Sequence, residues 1–380
     1  MNPHHRTNAL RERLNASHEI QYGFCVTSRN CVDAIIALAN QLEIPIMLLA
    51  TRSQVEYEKV GKGYVNGWST RELSEYIDLH DKGGYVVLCR DHGGLSEEHG
   101  SVLEGQTFTN ALRAAKESLL EDIRRNFSII HVDVSYMFDE TSKLDKRIAL
   151  LLELYQFCNS NSKHELSFEI SIVKQTGLID DIFLYKQLLD EFAIFCIRNS
   201  LPRPLFVTTN LGTLVRGNYN AGDIRRVDSL DSGYMEKVRM LTNCAALHNA
   251  FVKVHNADYL PDSSFQYLTK VGVRAANIGP EIGAFETLFI LRLCNDLGKK
   301  KLREKFIKHF YESRKWEKWV APDTPISDLD KAIICGHYNY STAEFKDTFS
   351  ELSMETERRG HNIHSMIVEH LKNVIKRRII

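Results

Sequence analysis

The 380-residue chain sets 48 lysines and arginines against 49 aspartates and glutamates, with 43% hydrophobic and 26% charged residues. Those proportions describe an ordinary globular protein, long enough for one large core or two smaller ones. A formal net charge of −1 gives no support to nucleic-acid binding, no apolar stretch approaches the ~20 residues of a membrane helix, and the opening Met1-Asn-Pro-His-His-Arg lacks the apolar segment of a secretory signal.

Along the chain, apolar β-like runs at 20–26, 44–50, 85–90, 128–134, 166–172, 204–209, 251–255 and 275–278 alternate with helical segments. The helical spacing covers 31–41, 73–79, 110–125, 143–158, 181–199, 233–248 and 281–297, and Ser69-Thr-Arg-Glu72 has the form of a capping box. The strands show little apolar/polar alternation, as parallel strands covered by helices do. Eight of them predict an α/β fold, a TIM (β/α)8 barrel. An open doubly wound sheet is the alternative that the count disfavours. The barrel is expected within 1–297, with its first strand after about residue 18. A helical C-terminal extension follows over 298–380, with Trp316, Trp319 and Pro322 marking a break. The basic runs at 298–305 and 376–378 read as solvated helix faces. Eight cysteines (Cys25, Cys31, Cys89, Cys158, Cys196, Cys244, Cys294, Cys335) form no CxxC pair, and buried reduced thiols in a cytoplasmic protein are expected.

The candidate chemistry gathers at the ends of these runs. Asp91-His92 closes the apolar run 85–89 and precedes Gly93-Gly94, which allow close backbone approach. His255-Asn256-Ala-Asp258 closes another run in the same way. Glu169 stands inside an apolar strand, where an unpaired carboxylate is costly to bury. A metal, sugar hydroxyls, or a pairing with Lys174 or an arginine would each relieve that cost. Asp133 and Ser135 share one side of a strand. His131 has the same parity but reads as a core histidine, and the expectation rests on Asp133. Thr208-Thr209-Asn210 and Asn277-Ile-Gly279-Pro280-Glu281 end two further strands and suit sugar oxygens or a phosphate, although polar turns use the same residues. Gly61-Lys-Gly63 is too degenerate for a phosphate loop. The loops 53–68, 92–106 and 211–230 are long enough to be functional.

Six segments together carry a resemblance. They are Ala50-Thr-Arg-Ser-Gln-Val55 with Gly63-Tyr-Val-Asn-Gly67, Arg90-Asp-His-Gly93, Ile130-His-Val-Asp-Val-Ser135, Phe168-Glu-Ile170, Val254-His-Asn-Ala-Asp-Tyr259 and Ala276-Asn-Ile-Gly-Pro280, with a tail element His337-Tyr-Asn-Tyr-Ser341. The set resembles the class II tagatose-bisphosphate aldolase subunit family, whose members are described as non-catalytic subunits or are similar to ketose 4-epimerases. The resemblance implies a TIM barrel, a divalent metal (zinc in the first instance) and a ketose or ketose-phosphate ligand. It implies Asp91 as the acid that moves the proton and His92 and His255 as metal ligands, with Glu169 or Asp258 to complete the metal site; Asp133 and Glu169 join Asp91 as the expected catalytic acids. Gln54, Ser135, Asn210, Asn256, Asn277 and Gly279 would hold the sugar.

Two departures stand out. The catalytic aldolases place another ligand histidine where this chain has Thr208-Thr-Asn-Leu-Gly212, and Leu95-Ser-Glu-Glu-His99 replaces the family's asparagine/tryptophan loop. The expected activity is metal-dependent retro-aldol cleavage or C4 epimerisation of a ketose. The alternative is a non-catalytic subunit that stabilises a separate aldolase. A partner aldolase subunit and homo-oligomers are both compatible with the motifs; nucleic acid and membrane partners are not expected.

Overall fold

The computed structural model describes residues 3–95, 107–135, 144–172, 176–321 and 324–380, and the side chains from residue 6 onward in the first stretch. The loop 96–106, Lys174 and Pro322 lie outside the described residues.

Eight parallel strands close into a barrel. In chain order they are β1 (Gln21–Cys25), β2 (Ile46–Ala50), β3 (Val86–Arg90), β4 (Ile129–Asp133), β5 (Ser167–Ser171), β6 (Phe206–Thr208), β9 (Phe251–Val254) and β10 (Ala275–Ile278), with β10 pairing β1 to complete the ring. A two-stranded antiparallel hairpin, β7 (Val215–Arg216) and β8 (Tyr219–Asn220), turns at Gly217 between β6 and β9. The barrel expected from the eight apolar runs is the fold observed.

Alternation along each strand divides the core in two. Phe24, Leu48, Leu88, Ile130, Val132, Phe168, Ile170, Val252 and Ile278 point outward into one continuous apolar cluster beneath the surrounding helices. Met47, Leu49, Val87, Cys89, Ile129, Phe206 and Ala275 fill the lower lumen. There they meet Leu10 and Leu14 from α1 (Pro3–Ala16), a helix that stoppers the N-terminal end of the barrel. Arg11 on the same helix donates to the Ser167 hydroxyl at 2.9 Å.

Between the strands run α2 (Arg29–Leu42), α3 (Thr70–His80), α4 (Phe108–Arg124), α5 (Leu144–Asn161), α6 (Ile182–Arg198), α7 (Ser232–Leu247), α8 (Asp262–Lys270) and α9 (Pro280–Asp296). The Ser69/Glu72 capping box at α3 forms as its sequence requires. Neither α1 nor α8 was expected. The last part of the chain folds as α10 (Lys300–Glu312), α11 (Asp328–Cys335), α12 (Ala343–Glu357) and α13 (Ile363–Ile379). Ile363, Ile367, Leu371 and Ile375 of α13 recur on one face and pack against α2 and α9 within the same apolar cluster as the barrel. The cysteines are free, and all but the half-buried Cys25 are buried. Among the described residues no helix is long and apolar enough to cross a membrane.

Candidate active site

The strand alternation that puts Ile129 in the lower lumen turns His131 and Asp133 inward above it. Glu169 lies opposite His131 in the β4–β5 register, and Ser171 opposite Asp133. Lys253 pairs across from Thr208. The upper lumen is thus a polar layer on an apolar floor, and it sits at the strand C-termini.

Three imidazoles meet there. The ring centroids of His92, His131 and His255 are 5.1–5.2 Å apart in every pairing. His92 owes its position to a left-handed backbone (φ 49) just after β3. The following Gly93 donates its N–H to the His131 carbonyl at 2.9 Å. A Cβ on Gly94 would fall 1.9 Å from the Asp133 carbonyl oxygen, so only glycine lets the loop approach β4 this closely.

Around the rings, the carboxylates are fully engaged. His92 Nδ1 lies 2.5 Å from Asp133 Oδ2, while Ser135 and Ser171 hydroxyls each donate to Asp133 Oδ1 at 2.6 Å. His131 bridges Asp91 Oδ1 through Nδ1 and Ser171 Oγ through Nε2, both at 3.1 Å. Glu169 accepts from Lys253 Nζ at 2.6 Å and from the Thr208 hydroxyl at 2.7 Å, with His255 Nε2 at 2.7 Å. Burial alone would push these acids up, but Lys253 and the histidines around them outweigh it. Lys253, His131 and His255 hold Glu169 well below the usual carboxylate range. Histidines 92, 255 and 131 do the same for Asp91, and His92 with His131 for Asp133. Lys253 is raised: burial works against its charge, and Glu169 and Asp91 more than restore it. His255 is lowered, chiefly by burial. Three carboxylates thus gather around one ammonium and three imidazoles.

The expected residues fall into two groups. Asp91, His92, Asp133, Glu169 and His255 converge, and Gln54, Asn256, Asn277 and Gly279 line the cleft above them. Asp258 also lines the cleft but stays out of the cluster: its Oδ1 accepts the backbone N–H groups of Gly279 (2.8 Å) and Glu281 (2.9 Å), which fixes it at the start of α9. Burial and the neighbouring Glu281 raise its pKa to about 7. Ser135 is turned to Asp133, and Asn210 is bound to Asp180 through its side-chain amide and backbone N–H, both at 2.8 Å. Glu169 finds a counter-charge in Lys253.

His131 corrects the sequence reading. It is a core histidine by burial, fully enclosed, yet it touches both Asp91 and the ring neighbours. Parity with Asp133 is the signal that identifies it. Lys253 escaped notice inside Phe251-Val-Lys-Val254, where a lysine in a strand looks like an edge residue.

The donor set suits a cation. One ligating atom from each of Asp91, His131, Glu169 and His255 lies within 4.8 Å of all the others, and His92, His131 and Asp133 form a second such group. Two nitrogens and two carboxylate oxygens match the ligand preferences of zinc and similar divalent ions. The Nδ1 contact of His92 with Asp133 leaves Nε2 facing the centre, the orientation a carboxylate commonly imposes on a ligating imidazole.

Above this cluster the barrel mouth opens into a cleft of about 750 Å³, including open solvent. Its walls hold Thr27, Thr51, Ser53 and Tyr64 from the barrel loops, and Lys318, Trp319, His337 and Tyr338 from the extension. The extension residues were not among the expected site residues, although the His337-Tyr-Asn-Tyr-Ser341 element was singled out.

No family model matches the chain, and no curated protein matches its sequence. Solved structures do share its fold. A protein described as a probable tagatose 6 phosphate kinase from Sinorhizobium meliloti 1021 superposes with a TM-score of 0.71 at 14% identity, covering 94% of this chain and 98% of that one. The fructose-bisphosphate aldolase of Campylobacter jejuni gives a TM-score of 0.51 at 13% identity, covering 93% and 95%. Both likenesses accord with the family resemblance in the motifs, and at these identities they establish the shared barrel and extension.

Proposed function

We propose that the protein is a divalent-metal-dependent enzyme of the class II aldolase type, acting on a ketose or ketose phosphate by retro-aldol cleavage or by C4 epimerisation. The observation that carries this reading is the convergence of Asp91, His131, Glu169 and His255 at the floor of an open cleft. Of these, His131, His255 and Glu169 would hold the ion, with the His92 ring beside them at the same centre. When bound, the ion supplies Lewis-acid polarisation of the ketose carbonyl. Asp91, kept ionised by its histidine neighbours, would accept the proton of the sugar hydroxyl next to the bond that breaks. Asp133 would orient His92, and Lys253 would fix Glu169. Asn277 and Asn256 stand on the cleft wall where sugar hydroxyls would lie.

Elemental analysis of zinc-equilibrated protein, followed by a screen of ketoses and ketose phosphates for aldehyde or epimer products, tests this. Metal in the wild type, its loss in His255→Ala, and turnover are expected. Metal-free protein without turnover would refute it.

The alternative, a non-catalytic subunit supporting a separate aldolase, has one observation in its favour. On the neighbouring helices α6 and α7, Phe183, Ile197 and Leu247 expose 82%, 70% and 82% of their surface, apolar area that a partner chain could cover. Stabilisation of an aldolase by an inert, metal-free chain would select that reading.

A further inference from the structure

The C-terminal extension brings one cation to the cleft. Among the described lining residues Lys318 is the sole lysine or arginine, and it enters with Trp319 from the short 3-10 turn Lys315–Lys318. Its ammonium is held against aromatic faces, 3.7 Å from the Tyr338 ring centroid and 5.5 Å from that of Trp319. The rings brace one another: Trp319 Nε1 donates to the Tyr338 hydroxyl at 3.1 Å, and Tyr64 meets Tyr338 edge-on at 4.7 Å. Ser341 then ties this segment to the barrel by donating to the Tyr64 carbonyl at 2.6 Å. The neighbouring Glu317 is engaged by Arg314.

A lysine that served solubility alone would need no ring beneath its ammonium, whereas that of Lys318 lies over two. Here the half-buried side chain lies on a rigid aromatic wall that faces the cleft, while the acidic cluster occupies the floor. The two ends of a bound molecule would therefore meet opposite environments. Hydroxyls and a carbonyl would lie over the floor, and the flat rings of Tyr64, Trp319 and Tyr338 suit the apolar C–H faces of a sugar. A negative terminal group would be the natural partner of the Lys318 ammonium.

We propose that Lys318, backed by Tyr64, Trp319 and Tyr338, is the specificity-determining anion subsite of this cleft, selecting sugars that end in a phosphate or carboxylate over neutral ones. The assignment rests on the ketose reading of the floor but reads a different part of the ligand.

The test is calorimetric titration of the full chain with a ketohexose, its 6-phosphate, its 6-carboxylate analogue and inorganic phosphate. Wild type should bind the two anionic ketoses more tightly than the neutral one. Lys318→Met, which keeps the stem on the rings and removes the charge, should weaken only the anionic ketoses, by about 10–100-fold, as loss of one charge-assisted hydrogen bond predicts. Lys318→Arg should retain most of the preference, which guards against a merely misfolded variant. Comparison of the phosphate with the carboxylate then tells which terminal group is preferred. Equal binding of neutral and anionic ketoses by wild type, or equal weakening of both by Lys318→Met, overturns the subsite. If no ketose binds but inorganic phosphate binds in a Lys318-dependent manner, the ketose reading falls and the anion subsite stands. If inorganic phosphate also fails to bind, the subsite falls with it.

Discussion

Two buried charged clusters lie within a few residues of each other on β3, and they are built to opposite ends. Arg90 points outward and is fully enclosed. It donates to both carboxylate oxygens of Asp122 at 2.6 and 2.7 Å and to the Ala50 and Val55 carbonyls at 2.9 Å. Next to it Arg52 pairs with Glu56 and donates to the Gly94 carbonyl at 2.8 Å, while Ser118 donates to Glu56 at 2.5 Å. Two arginines meet two acids in one network, sealed away from the cleft. One residue further along, Asp91 joins a centre of three carboxylates, three imidazoles and one lysine at the base of an open cleft. The first network braces loops; the second keeps metal-capable donors together where a ligand can reach them.

That contrast can be broken most forcefully at Arg90. Arg90→Met leaves Asp122 buried without its partner, and chemical denaturation should show a loss of about 3–5 kcal/mol. A loss under 1 kcal/mol would mean that the outer network is not the brace described. Asp91→Asn bears on the other cluster. It keeps the shape and removes the charge, and turnover should fall by roughly 10²–10⁴-fold. Near-normal turnover would remove Asp91 from the proton-transfer role.

Metal sharpens the comparison further. A divalent ion at about 100 times its dissociation constant should stabilise the wild type by about 2.7 kcal/mol. In thermal melts this gain should vanish in His131→Ala and persist in Arg52→Lys. Equal gains in all three proteins would place the ion elsewhere.

The smallest effect is a slope. Glu286, buried in α9 and accepting from the Ser28 hydroxyl and the Asn30 amide, is raised to about 7 by burial. A carboxyl with a raised folded pKa contributes stability below its unfolded value. That stability is lost as pH climbs to the folded pKa, here from about 4.5 to about 7. Denaturation midpoints should decline over that window in the wild type and flatten in Glu286→Gln. A parallel decline in both would assign the slope to other groups.

How legible was all this in the residues? Parallel strands buried on both faces leave unbroken apolar runs, and that is why each of the eight could be located to within a residue or two. By contrast, α1 buries just two leucines of its fourteen residues in the lumen, too few to set a period against Arg6, Arg11 and Arg13. The nine-residue α8 is shorter than the pattern needs, and the hairpin strands at 215–216 and 219–220 have no room to alternate. In the site, residues that close a strand were recognisable because polarity follows an apolar run. His131 and Lys253 lie within their strands, and their partners come from other strands. Local spacing cannot show which charges face each other across a lumen. The same is true of Lys318: a lysine among charged neighbours looks solvated until the fold lays it on Tyr338.

The bond from Ser341 to the Tyr64 carbonyl spans 277 positions of sequence. It has a consequence for the life of the molecule as it is made. During synthesis every strand is made before the residues of the aromatic wall, and α13, which shares the barrel's apolar cluster, comes last of all. A chain ending near residue 300 would therefore lose the wall and the packing on α2 and α9 together.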